Sequence, residues 1–289
     1  MIRDGEVAGL VARVIAIAKR RLGPGYRATY VWGSHARGDA IETSDVDVGA
    51  FVRGAVAAEA REREAEAIVA EAGGDPRLDF AVVADADLDG RDAVSFRHGA
   101  LRVDGEDLAP LLPLPDRRTW ETLAAEAALE WVARVRPAPM RLPVEPIDPS
   151  DEFLGYCDRR GALADGTTFV STKEALSIAG RIATAHVAWL SGRSVGDRPQ
   201  AIRAHAEDVA DEWSPFLVEL AETIRTRWRY RIPDDPGDRR RLRELCERVL
   251  AFERRFVEDL SAFLVAGRDD DSPEVRARFA AMRARIDSR

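Results

Sequence analysis

The run from Ser44 to Val52, SDVDVGAFV, constrains the fold more than any other stretch of the chain. Acidic and apolar residues alternate at its start with period two, which predicts a strand with Val46 and Val48 on a buried face. Asp45 and Asp47 then share the other face. Two carboxylates that close repel unless something offsets their charge. Such a strand borders a core on one side and a site on the other.

A divalent cation is one means of offset, because Mg²⁺ takes one or two protein carboxylates together with substrate phosphates. Asp79, in the later apolar run RLDFAVVA (77–84), would bring a third oxygen donor from a neighbouring strand. Upstream, Gly33 lets the backbone turn sharply and approach a ligand. Ser34 offers a hydroxyl and the start of a helix, whose N–H groups suit a phosphate. Arg37 adds a fixed positive charge, and Gly38 closes the turn. The ordered set reads as a triphosphate–metal cradle, with Asp39 and Glu42 as turn residues outside it.

Around this stretch the pattern is mixed α and β. Val7, Leu10, Val11, Val14, Ile15 and Ala18 recur at helical spacing over 4–22, and Gly23, Pro24 and Gly25 stop that helix. ATYVWG (28–33) reads as a strand, 56–72 as an amphipathic helix, 77–84 as a third strand and 99–105 as a fourth extended piece. The proline-punctuated 107–116 is an exit from a unit of ordinary domain size. The remainder reads as helical, with patterns over 119–135, 171–191, 199–211, 214–229, 238–265 and 272–286. A proline-rich connection, 136–150, lies between the first two of these helices. The expectation is an α+β protein: a catalytic domain over 1–115 followed by an all-α bundle over 116–289.

Composition narrows the partners. The 289 residues carry a formal charge of −8, with acids and bases interspersed. A grip on a nucleic-acid polymer needs clustered Lys and Arg, which argues against DNA or RNA as the main partner. Cys157 and Cys246 match no zinc or disulfide spacing, no apolar run approaches membrane-spanning length, and the N-terminus lacks a signal-peptide core. A cytoplasmic protein without a membrane partner is expected.

GSHARG followed by SDVDV and a later strand acid resembles the signature of nucleotidyltransferases with the DNA polymerase β-like fold, over roughly residues 26–85. The resemblance implies that Asp45, Asp47 and Asp79 bind two Mg²⁺ ions, with Asp79 as metal ligand, general base or both. It implies that Gly33 and Ser34 hold the triphosphate of ATP, with Arg37 in a supporting phosphate role. The implied reaction moves AMP to a hydroxyl of a small acceptor and releases pyrophosphate.

The helical half is similar to the aminoglycoside adenylyltransferases of the streptomycin/spectinomycin type. In KEALSIAGRIATAHVAWLSGRSVGDRPQA (173–201), Arg181 and Arg198 match basic positions that face ATP in that family. Where the family grips its antibiotic with a tryptophan and two acids, GALADGTTFVST (161–172) holds Asp165 alone, which makes Asp165 the candidate acceptor contact. Acids at Glu145, Asp148, Asp151, Glu152 and Asp158 would suit a cationic acceptor or a solvated linker face. Two alternatives remain: a transferase acting on a protein or RNA in a toxin–antitoxin-like system, and a ribonuclease. The second rests on Arg181 and His186, whose R-x4-H spacing resembles the motif of HEPN toxins.

Overall fold

A computed structural model describes residues 2–136, 140–267 and 272–287. The chain divides into two compact units. The first runs to Leu114 and takes in Gly161–Phe169; the second comprises Pro115–Arg160 and the chain from Val170 onward.

In the first unit, α1 (Gly5–Leu22) begins where the Asp4 carboxylate caps the N–H groups of Glu6 and Val7, and ends at Gly23. It leads into β1 (Tyr26–Val31), the short helix α2 (Gly33–Arg37), β2 (Val46–Val52), α3 (Ala58–Glu71), β3 (Leu78–Ala84), α4 (Gly90–His98) and β4 (Leu101–Gly105). The sheet order is β3-β2-β1-β4, with β1 antiparallel to both β2 and β4 and β2 parallel to β3.

Alternation along the strands sorts side chains to two cores. Val46, Val48, Ala50 and Val52 join Val82 and Ala84 in a cluster with Val7, Leu10, Val11 and Val14 of α1 and Ile68 of α3. On the opposite face, Tyr30, Phe51 and Phe96 pack ring against ring, with Trp32 at the margin. The helix α4 was not expected from the sequence. Its signal is local, a capping box in which Asp89 and Asp92 each accept from the other's end of the first turn.

The second unit contains α5 (Arg117–Val132), the short pair β5 (Met140–Arg141) and β8 (Ile286–Asp287), α6 (Lys173–Ser191), α7 (Arg198–Ala204), α8 (Ser214–Ala221), α9 (Pro236–Ala266) and α10 (Pro273–Arg285). The helices expected over 199–211 and 214–229 do not run through as α-helix: each ends in a π-helical turn, at His205–Val209 and Glu222–Arg227. Nor is the region past residue 116 purely helical. β6 (Arg160–Ala162) and β7 (Thr168–Val170) form a hairpin around Asp165-Gly166, and strands this short leave no readable periodicity.

A buried ionic network ties the second unit together. Glu253 of α9 is fully enclosed; it accepts from Arg136 Nε at 2.7 Å and from the Tyr156 hydroxyl at 2.7 Å. The rest of the Arg136 guanidinium reaches the carbonyls of Val135 and Leu154 and the Tyr156 oxygen. Burial pushes the Glu253 carboxyl up, and Arg136 opposes that shift. Cys157 and Cys246, remote in sequence, meet beside this network as free, buried thiols, and their hydrogen bond together with burial holds Cys246 well above its usual range.

Removing one partner of a buried pair strands the other charge. Glu253→Ala is expected to lower unfolding stability by about 3–5 kcal/mol in urea titrations. The double variant Arg136→Met with Glu253→Leu is expected to regain most of that loss.

Candidate active site

The site is built on the ends of β1, β2 and β3. β1 delivers Trp32, whose N–H donates to the Asp47 carbonyl at 3.0 Å, and the chain turns at Gly33 with φ +67°. A side chain at Gly33 would be doubly disfavoured. The backbone is left-handed there, and a Cβ would lie 2.6 Å from Asp47 Oδ2. The Asp47 carboxylate is therefore packed onto the backbone at the start of α2. That helix has no side-chain N-cap, and it closes at Gly38, whose N–H and that of Asp39 both donate to the Ser34 carbonyl.

Asp79 is the register partner of Asp47 on β3, so the two carboxylates stand level on the same face of the sheet. Asp79 is exposed, whereas Asp47 and Asp45 are half-buried. Asp45 lies one residue before β2 and near His35. Burial lowers the His35 imidazole pKa, and the carboxylates of Asp4, Asp45 and Asp39 oppose that effect. Among the described residues, no three His, Cys, Asp or Glu side chains are gathered into a ready-made cation site. Asp79 stands on an edge strand, open to water. Arg37 turns its guanidinium to Asp39, at 3.3 Å from both Nε and Nη2.

In the second unit, α6 is the enclosed central helix. Among the described residues 174–188, Arg181 alone is exposed, and its guanidinium lies over the Trp131 ring at 5.8 Å. Arg198, the first residue of α7, crosses α6 at Gly180, where a Cβ would meet its Cγ at 2.8 Å. Its Nη1 donates to Ser177 Oγ at 2.7 Å. Arg181 and Arg198 are thus brought to one stretch of α6, next to a glycine that makes room for the second.

Asp165 sits at the tip of the β6–β7 hairpin, where its carboxylate accepts the Thr167 N–H at 2.9 Å and Gly166 adopts φ +83°. The acid run upstream is largely consumed locally. Glu145 pairs with Arg254 at 2.9 Å, Glu152 with Arg239 at 2.5 Å, and Asp148 and Asp151 accept backbone N–H groups of their own turns.

His186 points into the core. It is 5% exposed, packed among Trp189, His205, Phe252 and Phe256, with Nε2 at 3.6 Å from Asp259. Burial and the neighbouring His205 lower its pKa to about 4. An imidazole enclosed in this way is not presented to an RNA strand, and Arg181 emerges on a different side of the helix. The R-x4-H spacing is a core position and a surface position.

No protein-family model matches the chain, and no curated protein does. Solved structures do. Spectinomycin adenyltransferase AAD(9) from Enterococcus faecialis, solved with ATP and spectinomycin, superposes with a TM-score of 0.50 at 12% identity, over 85% of this chain and 98% of that one. A toxin–antitoxin structure with AMP-PNP (TM-score 0.28, 18% identity) covers 33% of this chain and 73% of its own. A mutant of the toxin–antitoxin MntA–HpeT (TM-score 0.28, 15% identity) covers 35% and 77%. The chain shares the fold of that adenyltransferase.

Because the folded-state pKa of His186 lies below that of an unfolded histidine, the unfolded chain takes up the proton first as pH falls. The stability this position holds above about pH 6.5 is expected to decline as pH drops toward 4, by about 3 kcal/mol in all. Urea titrations at stepped pH measure the slope, and His186→Phe is expected to flatten it.

Proposed function

We propose that the chain is a Mg²⁺-dependent nucleotidyltransferase that moves AMP from ATP to a hydroxyl of a small molecule and releases pyrophosphate. The observation that carries this reading is the placement of Asp47, locked against Gly33 and level with Asp79 across a parallel pair of strands. The fold shared with an adenyltransferase agrees with it.

The donor set suits a hard cation, since carboxylate oxygens are what Mg²⁺ takes from protein when phosphates complete its shell. Asp45 and Asp47 would hold it, with Asp79 as the third donor. When bound, Mg²⁺ neutralises phosphate charge and polarises the α-phosphorus. The remaining work falls to this chain's own groups. Gly33 and Ser34 bring backbone N–H groups and a hydroxyl to the phosphates, at a helix start that no side chain caps. Asp79 accepts the proton of the acceptor hydroxyl. The acceptor oxygen bonds to the α-phosphorus as the bond to the β-phosphate oxygen breaks, and pyrophosphate carries away the electron pair.

Arg181 and Arg198 are assigned to ATP, and Arg37 to a supporting role at the phosphates. Asp165 is the acceptor-side acid of this reading. The acceptor is a small polyhydroxylated molecule, and aminoglycosides and aminocyclitols are the first to try, spectinomycin among them. Antibiotic resistance would follow from such an acceptor. The reaction belongs in the cytoplasm, where ATP is found and free thiols persist. Among the described residues, no helix is long and apolar enough to cross a membrane.

Pyrophosphate release from ATP and Mg²⁺ with an acceptor panel tests the reading. Asp47→Asn and Asp79→Asn are each expected to lower kcat by at least 10²-fold, on the order of 3 kcal/mol of barrier. Asp47→Asn is also expected to weaken Mg·ATP binding in calorimetry, and Asp79→Asn to weaken it less. A parent protein that neither binds Mg·ATP nor releases pyrophosphate would sink the proposal.

A further inference from the structure

Many arginines of the second unit are discharged by acids: Arg193 pairs with Glu207, Arg239 with Glu152, Arg254 with Glu145 and Arg255 with Asp259. Arg198 differs from them. It is half-buried at the first position of α7, and among the described residues no carboxylate is paired with its guanidinium. The neighbouring Asp197 carboxylate is turned to α7, where it accepts the Gln200 N–H at 2.8 Å. What holds the guanidinium is a neutral group. Ser177 of α6 is buried; its hydroxyl donates to the Lys173 carbonyl at 2.8 Å, and its oxygen accepts from Arg198 Nη1 at 2.7 Å. Three residues on, Gly180 lets the arginine stem lie on the helix. A Cβ there would stand 2.8 Å from Cγ, 3.1 Å from Cβ and 3.3 Å from Cδ of Arg198. The stem is laid down at one point and the head tied at another, with the positive charge intact.

We propose that Ser177 and Gly180 are positioning residues for the nucleotide: they hold Arg198 in one pose, undischarged, for the phosphates of ATP. The inference rests on the nucleotidyltransferase reading and adds two residues that neither charge nor motif marks. A carboxylate in place of Ser177 would hold the arginine as firmly, but it would also pair its charge. Arginine has no acceptor, so the serine oxygen can only accept from it, while the serine proton is committed to a backbone carbonyl. The guanidinium is oriented without being neutralised. The choice of nitrogen matters as well. With Nη1 tied to Ser177, the Nε–Nη2 edge is left for a ligand, and that edge presents two parallel N–H groups to an oxyanion. Fixing the arginine in advance also lowers the cost of ordering a long side chain when the ligand arrives.

Calorimetry on the full chain, with Mg²⁺ and a non-hydrolysable ATP analogue, tests this. Arg198→Ala sets the reference by removing the cation. Ser177→Ala is expected to weaken analogue binding about tenfold, the scale of one hydrogen bond to a charged group. Ser177→Thr, which keeps the oxygen, is expected to bind within about threefold of the parent. Gly180→Ala displaces the stem with Ser177 intact, and it is the second route to the same loss should Ser177→Ala fold poorly. In the Arg198→Ala background, Ser177→Ala is expected to change binding by less than about twofold, because its effect passes through the arginine. Binding that is unaltered in both Ser177→Ala and Gly180→Ala overturns the inference. So does a Ser177→Ala loss that persists undiminished in the Arg198→Ala background, the mark of a role in helix packing alone. Either result leaves the transferase reading standing. A parent chain that binds no nucleotide overturns both.

Discussion

The first unit is organised around the contact between the Asp47 carboxylate and the backbone of Gly33. It forces a glycine in the left-handed region at the end of β1, and it fixes where α2 begins. It also needs β2 to arrive at this point with Asp47 outward, which the burial of Val46 and Val48 against α1 and α3 secures. A one-residue slip of β2 would bury the carboxylate and expose the valines. The core therefore sets the register, and the register sets the site. Parallel pairing with β3 then carries the same constraint across to Asp79.

Much of this was legible because period-two alternation survives in SDVDV, and because Gly33 and Gly38 bracket a turn that few other residues would accept. The level pairing of Asp47 with Asp79 was not legible. It depends on strand order and offset, which local pattern does not encode. The same limit hid α4 and the β6–β7 hairpin. Each left a local mark, the Asp89–Asp92 capping box and the Asp165-Gly166 turn, but neither flanking run is long enough to show a period. The acids between Glu145 and Glu152 were ambiguous for a different reason. Their partners Arg254 and Arg239 lie on α9, roughly a hundred residues on in the chain, and only the packed structure brings them together.

The second unit illustrates how burial decides the meaning of a motif. Arg181 and His186 are five apart on one helix, and five residues turn about 140° around its axis. One side chain meets water and the other meets Phe252 and Phe256. Helical geometry alone separates the pair, so the spacing that suggests a nuclease is better read as a boundary between a core face and an exposed face. Arg198 lies against the same helix because Gly180 leaves space for its stem, so a nearby glycine is as much a part of that feature as the arginine itself.

Glycine recurs in the same capacity at Gly33, Gly49 and Gly180. At each, a missing side chain admits a larger group from elsewhere in the fold: the Asp47 carboxylate, the Trp32 indole and the Arg198 stem. The three admitted groups belong to different parts of the fold: Asp47 closes the turn into α2, Trp32 borders the aromatic cluster on the sheet, and Arg198 ties α7 to α6.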